Sequence, residues 1–229
     1  MTTPLDRQLP GQEFDPALRG TARTLQLDDD RVLPLRTRRW RRPAGRGDRW
    51  LLDRCEGSTL DLGCGPGRLV AHLVARGIPA LGADSSATAI GRCRERGIPA
   101  VQGDVFQALP GEGTWRTTVL ADGNIGIGGD PLRLLHRVRE LLHPDGRLLV
   151  ETAPDAAGLW RGEARLRDRR GGTGGWFPWA VLDLHALREL AEAIGFRVCA
   201  VRQGHYRHFA DVRPRTGDDR RLNTPSGGK

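Results

Sequence analysis

One stretch constrains this chain more than any other: Leu60-Asp61-Leu62-Gly63-Cys64-Gly65-Pro66-Gly67-Arg68. A short apolar run ends in glycines at alternate positions, and a helix-forming segment begins at once. Glycine tolerates positive φ and carries no side chain, so the chain can turn tightly here and lie flat against a ligand. The N-terminus of the following helix presents unpaired N–H groups to the same place. A strand, a glycine turn and a helix in that order predict a parallel α/β fold with a ligand site at the strand's exit.

The surrounding pattern repeats that unit. From about 57 to 152, short apolar runs alternate with helix-period segments every 20 residues or so, which signals consecutive βα units. Strands are expected at Thr59–Leu62, Ala80–Ala83, Ala100–Gln102, Thr117–Ala121 and Arg147–Val150. Helices are expected at Arg68–Arg76, from Ser85 or Ser86 to Gly97, and from the Asp130-Pro131 cap through Leu142. A last amphipathic helix over Leu184–Ile194 leads to two strands, Phe196–Val201 and about His205–Ala210. Residues 1–45 show no clear periodicity and form an N-terminal arm that caps the substrate side. Residues 46–212 are the main domain, with 155–180 an irregular insertion rich in glycine, arginine and tryptophan, and 213–229 is expected to be a disordered tail.

Asp84 follows Asp61 by 23 residues, at the end of the second strand, where such a sheet places an acid against ribose hydroxyls. A dinucleotide fingerprint would need a third small residue where this chain has Arg68. The spacing D-x-G-x-G-x-G, with acids after strands two and three, instead resembles the first motif of class I methyltransferases in their broad methyltransferase-domain form. The resemblance covers 57–152 and implies a three-layer Rossmann-like fold. Its sheet would have seven mostly parallel strands, the last antiparallel. It implies S-adenosylmethionine as methyl donor and S-adenosylhomocysteine as product.

By that resemblance Asp61 orients the glycine loop and the methionine amino group, while Gly63, Cys64 and Gly65 lie against the ribose and amino-acid portion. Asp84 grips the ribose hydroxyls and Ser85 sits beside adenine. Asp104 accepts from the adenine amino group, with Val105 and Phe106 flanking the ring; Phe106 reads equally as a core residue. Ala121 and Asp122 stand where the activated methyl meets the acceptor. In the glycine-rich run Ala121–Asp130, Asp122 or Asn124 is expected to orient the acceptor; the alternative is a loop packed against the cofactor alone.

Several chemistries fit poorly. Ala121-Asp122-Gly123-Asn124 stands where adenine and amide methyltransferases carry N/D-P-P-Y/F. Glu151-Thr152-Ala153 offers no acid–amide pair for a magnesium site, so no metal is expected. His205 and His208 are weak candidates for a base, and His136 and His143 read as helix-face and helix-end residues. Trp40, Trp50, Trp160, Trp176, Phe177 and Trp179 fall outside the βα units. They either wall an acceptor site for a flat small molecule or anchor irregular segments.

The formal charge of +8 raises an RNA substrate, with the run Arg36–Arg42 as a binding arm or a solvated basic segment. Lys229 is the only lysine among 36 basic residues, which reads as codon bias in a G+C-rich genome more than as a phosphate-binding face. The reading is therefore a methyltransferase of a small molecule. Its rivals are an RNA methyltransferase and a cofactor-binding protein that no longer methylates. Cys55, Cys64, Cys93 and Cys199 are widely spaced and read as reduced thiols. No apolar run reaches the roughly 18 residues of a membrane span, and the first thirty residues lack a signal-peptide core, so a cytoplasmic protein is expected.

Overall fold

The computed structural model describes residues 11–154, 156–168, 172 and 174–215. In chain order these form α1 (Asp15–Arg19), β1 (Ala22–Leu27), β2 (Val32–Pro34), α2 (Thr37–Trp40) and α3 (Arg49–Leu52). Next come β3 (Thr59–Leu62), α4 (Arg68–Ala75), β4 (Ala80–Asp84), α5 (Ala87–Glu95), β5 (Ala100–Gln102) and β6 (Trp115–Leu120). The remainder is α6 (Pro131–Leu141), β7 (Leu142–Thr152), β8 (Leu159–Asp168), β9 (Phe177–Leu182), α7 (Leu184–Ala193), β10 (Phe196–Gln203) and β11 (His208–Pro214).

Seven strands form the central sheet in the order β10-β11-β7-β6-β3-β4-β5. The pairs from β7 to β5 are parallel, and β11 runs antiparallel to both its neighbours. All four residues of β3 are buried, as befits a central parallel strand covered on both faces. Leu60, Leu62, Leu120, Leu134, Leu135, Leu148 and Phe196 make the core on one face, while Trp50, Leu51, Leu69, Leu73 and Phe209 pack on the other. The helices start where short polar side chains accept first-turn N–H groups: Ser86 from Ala89, Asp130 from Arg133 and Asp183 from Ala186. Sequence order reverses at β3, with β4 and β5 to one side and β6 to the other, which opens a crevice at the strands' carboxyl ends.

A second sheet, β2-β1-β8-β9, is antiparallel throughout, and the cavity at the crevice runs beneath it. This corrects the expectation of an irregular insertion at 155–180. β8 alternates Trp160, Gly162, Ala164 and Leu166 with Arg161, Glu163, Arg165 and Arg167, and two of its four inner residues are too small to show as an apolar pattern. β1 was hidden for another reason: the register shifts between Ala22 and Thr24, so Ala22, Leu25 and Leu27 break the period of two. The arm expected to be aperiodic thus supplies two strands and α1. β11 extends to Pro214, into the expected tail, and positions from 216 onward lie outside the described residues.

Candidate active site

The glycine loop is held from two sides. Gly63, Gly65 and Gly67 all have positive φ, at 70°, 54° and 76°. The Gly65 N–H donates to Asp84 Oδ2 at 2.8 Å, and the Asp84 Oδ1 accepts from Ser86 N–H at 2.9 Å. Burial raises the Asp84 carboxyl above its ordinary value, and these two N–H donors oppose the rise. From the other side, the Asn124 amide donates to the carbonyls of Leu62 and Gly63, both at 2.8 Å. A Cβ on Gly63 would stand 2.5 Å from that amide nitrogen, so glycine is required there for contact as well as for φ.

This loop, the ends of β4 and β5, the segment after β6 and the second sheet enclose one cavity of about 460 Å³. Ten of the sequence-expected residues line it: Gly63, Cys64, Gly65, Asp84, Ser85, Asp104, Val105, Phe106, Asp122 and Asn124. Asp61 and Ala121 are not on its wall; each is only 3% exposed, and Ala121 packs with Leu69 and Val119. Burial pushes the Asp61 carboxyl up to about 7, with Arg68 opposing and Asp84 and Asp48 reinforcing. The hydrogen bonds described to the glycine loop come from Asn124 and Asp84.

Two glycines after β6, Gly126 and Gly128, sit in tight contact with the rest of the protein, while Gly123 is open on the cavity wall. A Cβ on Gly126 would fall 2.2 Å from the Ala180 carbonyl oxygen of β9, and one on Gly128 would fall 2.6 Å from the Phe106 ring. These two residues bring the loop against β9 and the Phe106 ring. Phe106 lines the cavity with one face under Arg133, whose guanidinium carbon lies 4.0 Å from the ring centre.

Below the cavity lies an ion network that sequence reasoning missed. Arg68, 3% exposed, donates to Asp48 at 2.6 Å and to Asp122 at 2.9 Å. Arg39 also pairs with Asp122, and Arg207 forks onto both oxygens of Glu151 at 2.7 Å while reaching Asp48. The Asp122 N–H donates to Glu151 Oε2 at 2.7 Å, which fixes Asp122 at φ 58°. Against the cost of burial, Arg68 and hydrogen bonds from Gly45 and Arg207 hold the Asp48 carboxyl down at about 2. Burial, helped by Arg207, pulls the Arg39 guanidinium down to about 10. Three cations and three carboxylates interlock, so Asp122 faces the cavity as a fully engaged carboxylate. The available signals were Arg68 in place of a third glycine and Arg39 in the basic run, and neither names its partner.

The far lobe is apolar. Phe14 approaches Trp179 at 5.1 Å and Phe177 at 5.4 Å between ring centres, and Trp40 stands 6.3 Å from Phe14. Leu25, Leu33 and Val181 complete that wall. Trp50 instead stacks on Phe209 in the core behind α4, and Trp176 lies under Arg165 at the surface. Among the described residues no histidine lines the cavity; His205 meets the exposed Tyr206 edge-to-face, and His208 pairs with Thr152 in the sheet. Among the described residues no group of three or more metal-ligating side chains is placed to hold an ion, and no helix is long and apolar enough to cross a membrane.

The profile of a family described as "Methyltransferase domain" matches residues 35–201. The chain belongs to that family. It is an S-adenosylmethionine-dependent methyltransferase. Solved structures share its fold. A SAM-dependent methyltransferase from Bacteroides fragilis, in complex with S-adenosyl-L-homocysteine, superposes with a TM-score of 0.72 at 22% identity, over 89% of this chain and 96% of that one. The CcbJ methyltransferase from Streptomyces caelestis gives 0.57 at 18%, over 76% and 91%. The Burkholderia thailandensis 1,6-didemethyltoxoflavin-N1-methyltransferase gives 0.53 at 18%, over 72% and 74%. No curated protein matches the sequence. The methyltransferase has room for its cofactor: a Cβ on Gly65 would meet no atom within 4 Å, so the glycine loop is open toward the cavity, and Asp84 and Asp104 supply acceptors at its rim.

Proposed function

We propose that this methyltransferase acts on a flat, largely apolar small molecule. The observation that carries the reading is the aromatic wall of Phe14, Trp40, Phe177 and Trp179, roofed by the second sheet and continuous with the glycine-loop lobe. Such a wall favours a planar apolar body and excludes water. In the basic run Arg39 is committed inward to Asp122, while Arg36, over the Tyr206 ring at 4.9 Å from its centre, stays at the surface.

The cofactor half follows the family pattern in this reading. Gly63, Cys64 and Gly65 hold the ribose and amino-acid portion, and the free lone pairs of Asp84 accept from the ribose hydroxyls. Ser85, Asp104, Val105 and Phe106 bound the adenine. When bound, S-adenosylmethionine supplies a methyl already activated by its sulfonium. The chain's task is then alignment and exclusion of water, and alignment alone is worth on the order of 7–11 kcal/mol in well-oriented systems. Asp122 is tied to Arg39 and Arg68 and cannot take a proton without breaking ion pairs, so it acts as a fixed negative charge at the polar end of the acceptor lobe. Asn124 has only its Oδ1 left for the acceptor. The arrangement suits a nucleophile that reacts without a strong base, such as an amine.

The test is methyl transfer from labelled S-adenosylmethionine to a panel of planar aromatic metabolites and to structured RNA, for the wild type and Trp179→Ala. Turnover of an aromatic acceptor, with KM raised at least tenfold by the substitution and S-adenosylhomocysteine affinity unchanged, is the expected result. Turnover of RNA alone would overturn it.

A further inference from the structure

Cys64 occupies the middle of the glycine loop, and its thiol and that of Cys93 on α5 converge on one carbonyl. Both sulfurs reach one oxygen, the Gly65 carbonyl, at 3.5 Å from Cys64 Sγ and 3.3 Å from Cys93 Sγ. The two thiols share an apolar cluster with Val70, Ile90 and Ile98. Cys93 is 0% exposed, whereas Cys64, at 6%, lines the cavity wall. The pair can therefore be approached only through the cofactor's lobe, and only from the Cys64 side.

We propose that Cys64 and Cys93 form an oxidation site, at which a peroxide entering the cofactor-free lobe converts the two thiols to a disulfide that abolishes S-adenosylmethionine binding. In the first step Cys64, as thiolate, attacks the peroxide O–O bond, forming a sulfenic acid and releasing hydroxide. In the second, Cys93 attacks that sulfur and displaces its oxygen as hydroxide. The two thiol protons convert both hydroxides to water, so two thiols and one hydrogen peroxide give one disulfide and two waters. The Cys93 thiol beside Cys64 lies below its ordinary value, which favours the second step, while the Cys64 thiol is held above its own, so the first step calls for excess peroxide.

Bond formation draws the two sulfurs to about 2 Å. Cys64 cannot make that move alone. Its sulfur is wedged on β4, where a Cβ on Gly82 would stand only 2.5 Å from it, and the next residue donates its N–H to Asp84. The loop must shift with the sulfur, and the fit between Gly65 and Asp84 goes with it.

The experiment exposes the full-length protein to excess hydrogen peroxide, with and without saturating S-adenosylhomocysteine, and maps linked peptides by mass spectrometry. Exposed Cys199 reports that the oxidant has acted. A Cys64–Cys93 linkage is expected in the cofactor-free protein, suppressed by the ligand. Calorimetry should show at least a tenfold loss of S-adenosylhomocysteine affinity, reversed by dithiothreitol. Cys93→Ser, checked for fold by circular dichroism, should give no linked peptide and no loss that dithiothreitol reverses. Oxidised Cys199 with Cys64 and Cys93 both still alkylatable would overturn the inference, as would a linked protein that binds with unchanged affinity. Neither readout requires turnover, so its failure is separate from that of the acceptor reading.

Discussion

Arg68 holds Asp122 at 2.9 Å through one guanidinium nitrogen while the other holds Asp48 at 2.6 Å, and the arginine is only 3% exposed. A lysine cannot span both carboxylates with that planar fork. Arg68→Met leaves two carboxylates without their shared cation, one of them almost fully buried. Breaking a buried pair on one side costs on the order of 3–5 kcal/mol. Urea denaturation of the variant should show a loss of that order, with Arg68→Lys recovering only a minority of it; wild-type stability in both would remove the network from the account of the fold.

Asn124 ties the segment after β6 to the glycine loop through Leu62 and Gly63. Asn124→Ala leaves both carbonyls without that donor, at about 1–3 kcal/mol for a buried polar group. S-adenosylhomocysteine should bind roughly tenfold more weakly by calorimetry. If affinity holds while turnover drops, Asn124 belongs to the acceptor and not to the loop.

Gly126 leaves no room for a side chain, because its Cβ would lie 2.2 Å from the Ala180 carbonyl oxygen. Gly126→Ala should force β9 away from the loop and lower stability by about 1–3 kcal/mol. The displacement also opens the aromatic wall, so fluorescence of Trp179 should shift to the red.

Asp61 makes stability depend on pH in a direction opposite to most carboxylates. Its folded value, about 7, lies above its ordinary 3.8, so the native state binds the extra proton between those limits. The stability it contributes is complete below about pH 4 and is lost as pH rises toward 7. Asp48, held near 2, loses its contribution only below its ordinary 3.8, outside that window. The stability difference between wild type and Asp61→Asn should therefore fall by on the order of 3 kcal/mol from pH 4 to pH 7. A difference that is flat with pH would show an ordinary Asp61.

The glycine-loop side of the cavity was legible in the sequence because its determinants are local. Gly63, Gly65, Asp84 and Asp104 sit at strand ends whose apolar runs announce themselves, and backbone φ dictates the glycines. The side under the second sheet was not. β8 conceals its inner face behind Gly162 and Ala164, and β1 carries a register shift. The charges of the network pair across long separations, Asp122 with Arg39 at 83 positions and Arg207 with Asp48 at 159. Nothing in the neighbourhood of either residue names its partner. Ala121 lies one residue past β6 and packs in the core with Leu69 and Val119.

The roof sheet joins strands from the two halves of the chain: Glu163 of β8 bonds Asp28, at the end of β1, across 135 positions. During synthesis β1 therefore emerges with only the short β2 beside it and waits for nearly the whole nucleotide half to follow. Closing so long a loop makes this the late, slow step of folding. Until then β1 is an open edge, and Arg23 and Gln26 within it discourage pairing with other chains. Cofactor affinity should accordingly return before the roof is finished when the denatured protein is diluted into buffer.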